Sequence, residues 1–117
     1  MENEAVFAMK FSKVFPLLIA KAERKGRTKE EVYTIAGWLT GYTAADLDRF
    51  MESALTYGDF FRQAPCPNEH RHKITGRVCG VKVEAIQDPL MREIRYLDKL
   101  VDELTKGKSM DQILRKG

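Results

Sequence analysis

The stretch Asp88-Pro89-Leu90-Met91-Arg92-Glu93-Ile94-Arg95-Tyr96-Leu97-Asp98-Lys99-Leu100-Val101-Asp102-Glu103-Leu104 decides the fold class. Leu90, Ile94, Leu97, Val101 and Leu104 recur at offsets 0, 4, 7, 11 and 14, which lines one face of a helix of 3.6 residues per turn. Asp88 is a carboxylate cap, Pro89 takes the first helical position, where a missing N–H costs nothing, and Gly107 suits the stop. Toward the N-terminus the same periodicity returns. Phe11, Val14, Phe15, Leu18 and Ala22 form a stripe that ends at Gly26. Pro16 is tolerated only in a first turn, so this helix is expected to begin near Ser12. Thr28-Lys29-Glu30-Glu31 is a capping box; Val32, Ile35, Ala36 and Leu39 are the inner stripe behind it, and Gly41 is the stop. Thr43, with Asp46 in the first turn, caps a third helix whose Leu47, Phe50, Met51 and Ala54 share a face. Ser109 to Gln112 is another capping box and opens a short last helix through Ile113 and Leu114.

Between these elements the signals weaken. Asp59-Phe60-Phe61-Arg62 reads as a short aromatic turn, and residues 65–73 read as an exposed loop. In residues 74–86, Val81, Val83 and Ala85 alternate as in a strand, while Ile74, Val78, Val81 and Ala85 fit a helix; Gly76 and Gly80 weaken both. A strand needs a partner and none stands out elsewhere, so a helix is the expectation. The whole reads as mainly α, a small orthogonal helical bundle of about five or six helices. It forms a single domain over residues 1–117, with 1–10 a loosely ordered N-terminal segment.

Hydrophobic residues at 44% and charged residues at 32% exclude a disordered chain. The balance of 20 Lys and Arg against 17 Asp and Glu leaves +3, too small an excess by itself to indicate a nucleic acid or a membrane. Cys66 and Cys79 form neither a C-x-x-C nor a disulfide framework and read as reduced thiols of a cytoplasmic protein. The apolar run Val14–Ala20 is far short of a membrane span, and Glu2 and Glu4 oppose a secretory signal.

Two groups of residues carry a resemblance. Lys21-Ala22-Glu23-Arg24-Lys25-Gly26-Arg27-Thr28-Lys29-Glu30-Glu31-Val32 with Trp38-Leu39-Thr40-Gly41-Tyr42 is the first. Ile74-Thr75-Gly76, Cys79-Gly80-Val81, Asp88-Pro89-Leu90-Met91 and Ile94 to Leu104 make the second. Together they resemble domain-of-unknown-function family 2200, from about Phe11 to Arg115. The resemblance implies a small, mainly α orthogonal bundle in a bacterial cytosol, favours a helix over residues 74–86, and implies no activity. Cys66, His70 and His72 lie outside the matching motifs.

Four constellations are candidates for chemistry. Cys66, His70, His72 and Cys79 are legitimate zinc ligands, but their spacing fits no familiar finger, and a polar loop with an inert, buried Cys79 is the expectation in preference to a metal site. Asp98, Asp102 and Glu103 share part of one helix and would hold a cation or simply form a solvated face. Lys21, Arg24, Lys25, Arg27 and Lys29 surround a helix junction, where they are phosphate contacts or favourable charges at a helix C-terminus. Trp38 and Tyr42 are core residues or, if exposed, an interaction surface. No nucleophile elbow or phosphate-cradling loop is present in the sequence. The expectation is therefore a cytoplasmic helical accessory or protein-interaction domain with no catalytic residue, cofactor or metal; its partner is another protein or a second copy, and no membrane is involved. The alternative is a helix-turn-helix-like nucleic-acid-binding module over residues 29–55, which the acidic outer positions Asp46, Asp48 and Glu52 make unlike a DNA reader. A metal-binding or enzymatic role around Cys66–Cys79 comes third.

Overall fold

Helix α6 (Pro89–Thr105) is the element on which the others are assembled. Asp88 accepts the amides of Leu90 and Met91, and the stripe Ile94, Leu97, Val101 and Leu104 is withdrawn from solvent, joined by Leu100. Against α6 pack α2 (Phe11–Glu23), α3 (Lys29–Thr40) and α5 (Tyr57–Arg62). Helix α1 (Asn3–Ala8) lies on α5, α4 (Ala44–Phe50) on α3, and α7 (Met110–Ile113) on α6. The computed structural model describes residues 3–115, and across them the protein is mainly α, with seven α-helices and one two-stranded sheet. No described helix is long and apolar enough to cross a membrane.

The sequence and the structure differ at five places. Residues 3–8 form α1, where the sequence suggested a loosely ordered segment; residues 1 and 2 lie outside the described ones. Helix α2 begins at Phe11, which puts Pro16 in the second turn. The start is set from outside the helix: Phe11 N donates to Leu55 O at 2.9 Å, and Lys10 bridges Thr56. Burial of Phe11, Phe15, Ile19 and Ala22 outweighs the roughly 3 kcal/mol an interior proline costs. Helix α4 stops at Phe50 instead of running to residue 55, and Ala54 is exposed. The aromatic turn is a buried helix, α5, capped by Thr56.

The fifth difference is residues 74–86, which are not helical. Arg77–Val78 (β1) pairs antiparallel with Val81–Lys82 (β2), followed by a 3₁₀ turn at Val83–Ala85. The partner strand sits just across a two-residue turn. Cys79 (φ 52°) and Gly80 (φ 77°) both take positive φ, as the tightest hairpin turn demands, and Val78 and Val83 fill the core. That turn gains nothing from helical periodicity, which is why the periodicity misleads.

Candidate functional site

The site begins with two helix caps. Thr28 and Glu31 cap α3 reciprocally, Glu31 N to Thr28 Oγ1 at 3.1 Å and Thr28 N to Glu31 Oε1 at 3.0 Å. Thr43 and Asp46 do the same for α4, at 3.1 and 3.0 Å. Both helix starts are therefore fixed by side chains adjacent in sequence. Between them Gly41 (φ 88°) ends α3 in the left-handed conformation, its amide donating to Gly37 O at 2.8 Å. A Cβ on Gly37 would lie 3.0 Å from Tyr42 O, so the absence of a side chain there lets the turn close against α3. The Tyr42 hydroxyl donates to Phe60 O at 2.8 Å and its ring packs on Phe50 and Phe60.

This geometry leaves a groove of about 530 Å³ between α3 and α4. Lys29, Glu30, Tyr33 and Thr34 supply one wall, Ala44 and Asp48 the other, and the less exposed Gly37 and Tyr42 lie between them at the base. Tyr33 spans it. Its hydroxyl donates to Asp48 Oδ1 at 2.6 Å, its ring meets Phe15 at 5.7 Å, and the Lys29 ammonium stands 5.1 Å from the ring centroid. Burial first, then the Asp48 carboxylate, push the Tyr33 phenol up to about 12, so near neutral pH it stays protonated and holds Asp48 in place. Neither histidine lines the groove, and a phenol so hard to ionise is a poor general base. The arrangement is suited to holding a ligand by shape, charge and an aromatic face.

The residues expected from sequence fall elsewhere for the most part. Tyr42 is core, 9% exposed, and contributes to the groove only as its floor; this corrects its place as a surface candidate. Trp38 is half-buried against the core, beside the groove rather than in it. Arg27 is not free for a phosphate: it clasps both Glu31 oxygens and donates to the carbonyls of Leu104 (3.3 Å) and Lys108 (2.9 Å). The Arg27 hydrogen bonds to its carboxylate are the main reason Glu31 is held below its ordinary range. Arg24 and Lys25 are exposed beyond the end of α2, Lys21 is half-buried, and Lys29 lies in the groove.

Cys66 and Cys79 are both unpaired and both exposed, so Cys79 is not the buried core thiol. Among the described residues no three His, Cys, Asp or Glu side chains converge as a metal would require, and His72 Nδ1 instead lies 3.4 Å from the Tyr96 hydroxyl. The acidic residues of α6 are not a solvated face either. Glu103 is 3% exposed and clasped by Arg115, Asp98 pairs with Arg95 at 2.9 Å, and Asp102 with Lys106 at 3.0 Å. Sequence reasoning passed over Tyr33, Glu30 and Thr34. The stripe Lys29, Tyr33, Gly37, four residues apart and flanking the inner stripe, was the available signal.

Residues 5–115 match the model of a family described as "Uncharacterized protein conserved in bacteria (DUF2200)". A crystal structure of uncharacterized protein SP1917 is similar to the chain, with a TM-score of 0.93 and 51% identity over 98% of this chain and 94% of that one. No curated protein matches.

Proposed function

The chain belongs to domain-of-unknown-function family 2200, and we propose that it is a small non-catalytic binding domain that takes a segment of a partner protein into the groove between α3 and α4. The observation that carries this reading is a concavity of about 530 Å³ held open by two separately capped helices, with its polar groups on the rim and Tyr42 and Gly37 at its base. A cytoplasmic setting accords with two unpaired, exposed thiols. A protein is favoured over a nucleic acid by the sign of the charge. The outer surface of α4 carries Asp46 and Asp48, and its one cation, Arg49, is tied to Asp46 at 2.7 Å. A recognition helix of seven residues with that charge would repel phosphates.

Random peptides displayed against the immobilised chain test the reading. Peptides selected on the native protein should bind at least about tenfold more weakly to Ala44→Trp and to Thr34→Trp, which fill the groove from exposed positions without touching the core. Selected peptides indifferent to both substitutions would place the contact elsewhere and end the proposal.

A further inference from the structure

Resting on that reading, we infer that the groove accepts an arginine side chain of the partner, whose guanidinium would lie over Tyr33 and against Asp48 in the place now held by Lys29. Three observations converge on a cation. Glu30 on α3 and Asp48 on α4 are carboxylates on opposite walls, and neither forms an ion pair with a described residue. Asp48 is oriented by the Tyr33 hydroxyl through Oδ1, which leaves Oδ2 available for a second donor. The aromatic face of Tyr33 already carries a positive group, the Lys29 ammonium at 5.1 Å, which itself has no carboxylate partner among the described residues. The chain thus fills the cation position with a residue of its own.

A metal ion is a poorer occupant, because no third ligand converges and the cavity is far larger than an ion needs. Arginine is preferred over lysine because a planar guanidinium stacks on the phenol ring while presenting paired N–H donors to a carboxylate. It must displace Lys29, whose flexible side chain starts at the first residue of α3 and can swing to solvent. Lys29 is therefore a competitor rather than part of the binding machinery.

Amide spectra of the full chain, titrated with N-acetyl-arginine amide and in parallel with the glutamate and leucine amides, test this. The arginine compound should shift the amides of Tyr33, Thr34 and Asp48 saturably, and the other two should not. Asp48→Asn should weaken that binding about threefold or more. Lys29→Met, which keeps the stem and removes the charge, should tighten it about two- to fivefold, the worth of one exposed cation–π contact. A merely structural Lys29 would give no tightening. Equal shifts from the leucine or glutamate amide, or weaker binding by Lys29→Met, would overturn the inference. If no amide moves the groove while displayed peptides still lose affinity on Ala44→Trp, the arginine assignment fails and the binding domain stands; peptides that ignore Ala44→Trp remove both.

Discussion

Tyr57 and Tyr42 sit in one aromatic cluster and differ in what their hydroxyls meet. Both rings are buried against Phe60, but the Tyr42 hydroxyl donates to Phe60 O at 2.8 Å, whereas the Tyr57 hydroxyl has no hydrogen-bond partner among the described residues. Burial, with the charge of Asp98 behind it, pushes the Tyr57 phenol far above its ordinary range. An unpaired buried hydroxyl costs about 1–3 kcal/mol, while a made one contributes about 1 kcal/mol net. The same substitution should therefore have opposite signs at the two sites. Tyr57→Phe keeps the edge-on contact with Phe61 and should be neutral or stabilising by up to about 1 kcal/mol, while Tyr42→Phe should cost about 1–2 kcal/mol. Urea denaturation of the two variants decides it, and a loss above about 1 kcal/mol for Tyr57→Phe would mean its hydroxyl is paired in solution.

The turn between α3 and α4 is locked by a segment distant in sequence. Cys66 N donates to Thr40 O at 3.0 Å and Asn68 N to Leu39 O at 3.1 Å, so residues 66–68 satisfy the last carbonyls of α3. A Cβ on Gly41 would stand 2.8 Å from both Cys66 N and Cys66 Cβ, whereas one on Gly107 (φ 91°) meets nothing within 4 Å. Gly107→Ala should accordingly cost only the backbone strain of about 1–2 kcal/mol; Gly41→Ala should cost at least about 1 kcal/mol more and loosen the groove. Thermal denaturation of the pair, with equal losses, would show that the 66–68 segment yields freely. Elements closed by neighbours in sequence were legible: the boxes Thr28–Glu31 and Ser109–Gln112 form as read, Thr43 caps α4 as read with Asp46 completing a box there, and the α6 stripe is buried. Elements fixed from afar were not. Phe11 begins α2 because Leu55 accepts its amide, and Tyr33 finds Asp48 only after the turn at Gly41 has folded. The Val78–Val81 pairing was hidden too: the alternation Val81, Val83, Ala85 leaves the strand for a 3₁₀ turn at Val83, and the partner strand is reached through a cysteine at positive φ.

Across the molecule all four tyrosines carry phenols raised above the ordinary value, Tyr33 to about 12 and the others chiefly through burial. A phenol whose folded pKa exceeds its unfolded value of about 10 binds its proton more firmly when folded. Its contribution to stability is complete below pH 10 and is lost as pH rises through the folded value. Phenolate absorbance should therefore stay below about half its final level at pH 11, where free tyrosine is about nine-tenths ionised, and the melting temperature should fall over the same window. A midpoint near pH 10 with the melting temperature unchanged would contradict the burial of these rings. The bridge between Lys10 and Thr56, with Tyr57 N donating to Met9 O at 2.6 Å, joins positions about 45 residues apart. Closing a loop of that length costs about 3 kcal/mol of chain entropy before any contact repays it. Helices α2, α3 and α4 all lie inside the loop, so they can flicker into being within microseconds yet must await its closure. A chain this rich in helix would otherwise be among the fast folders; this one is expected to be slowed by such distant encounters, this bridge and the still longer packing of α2 and α3 on α6 among them.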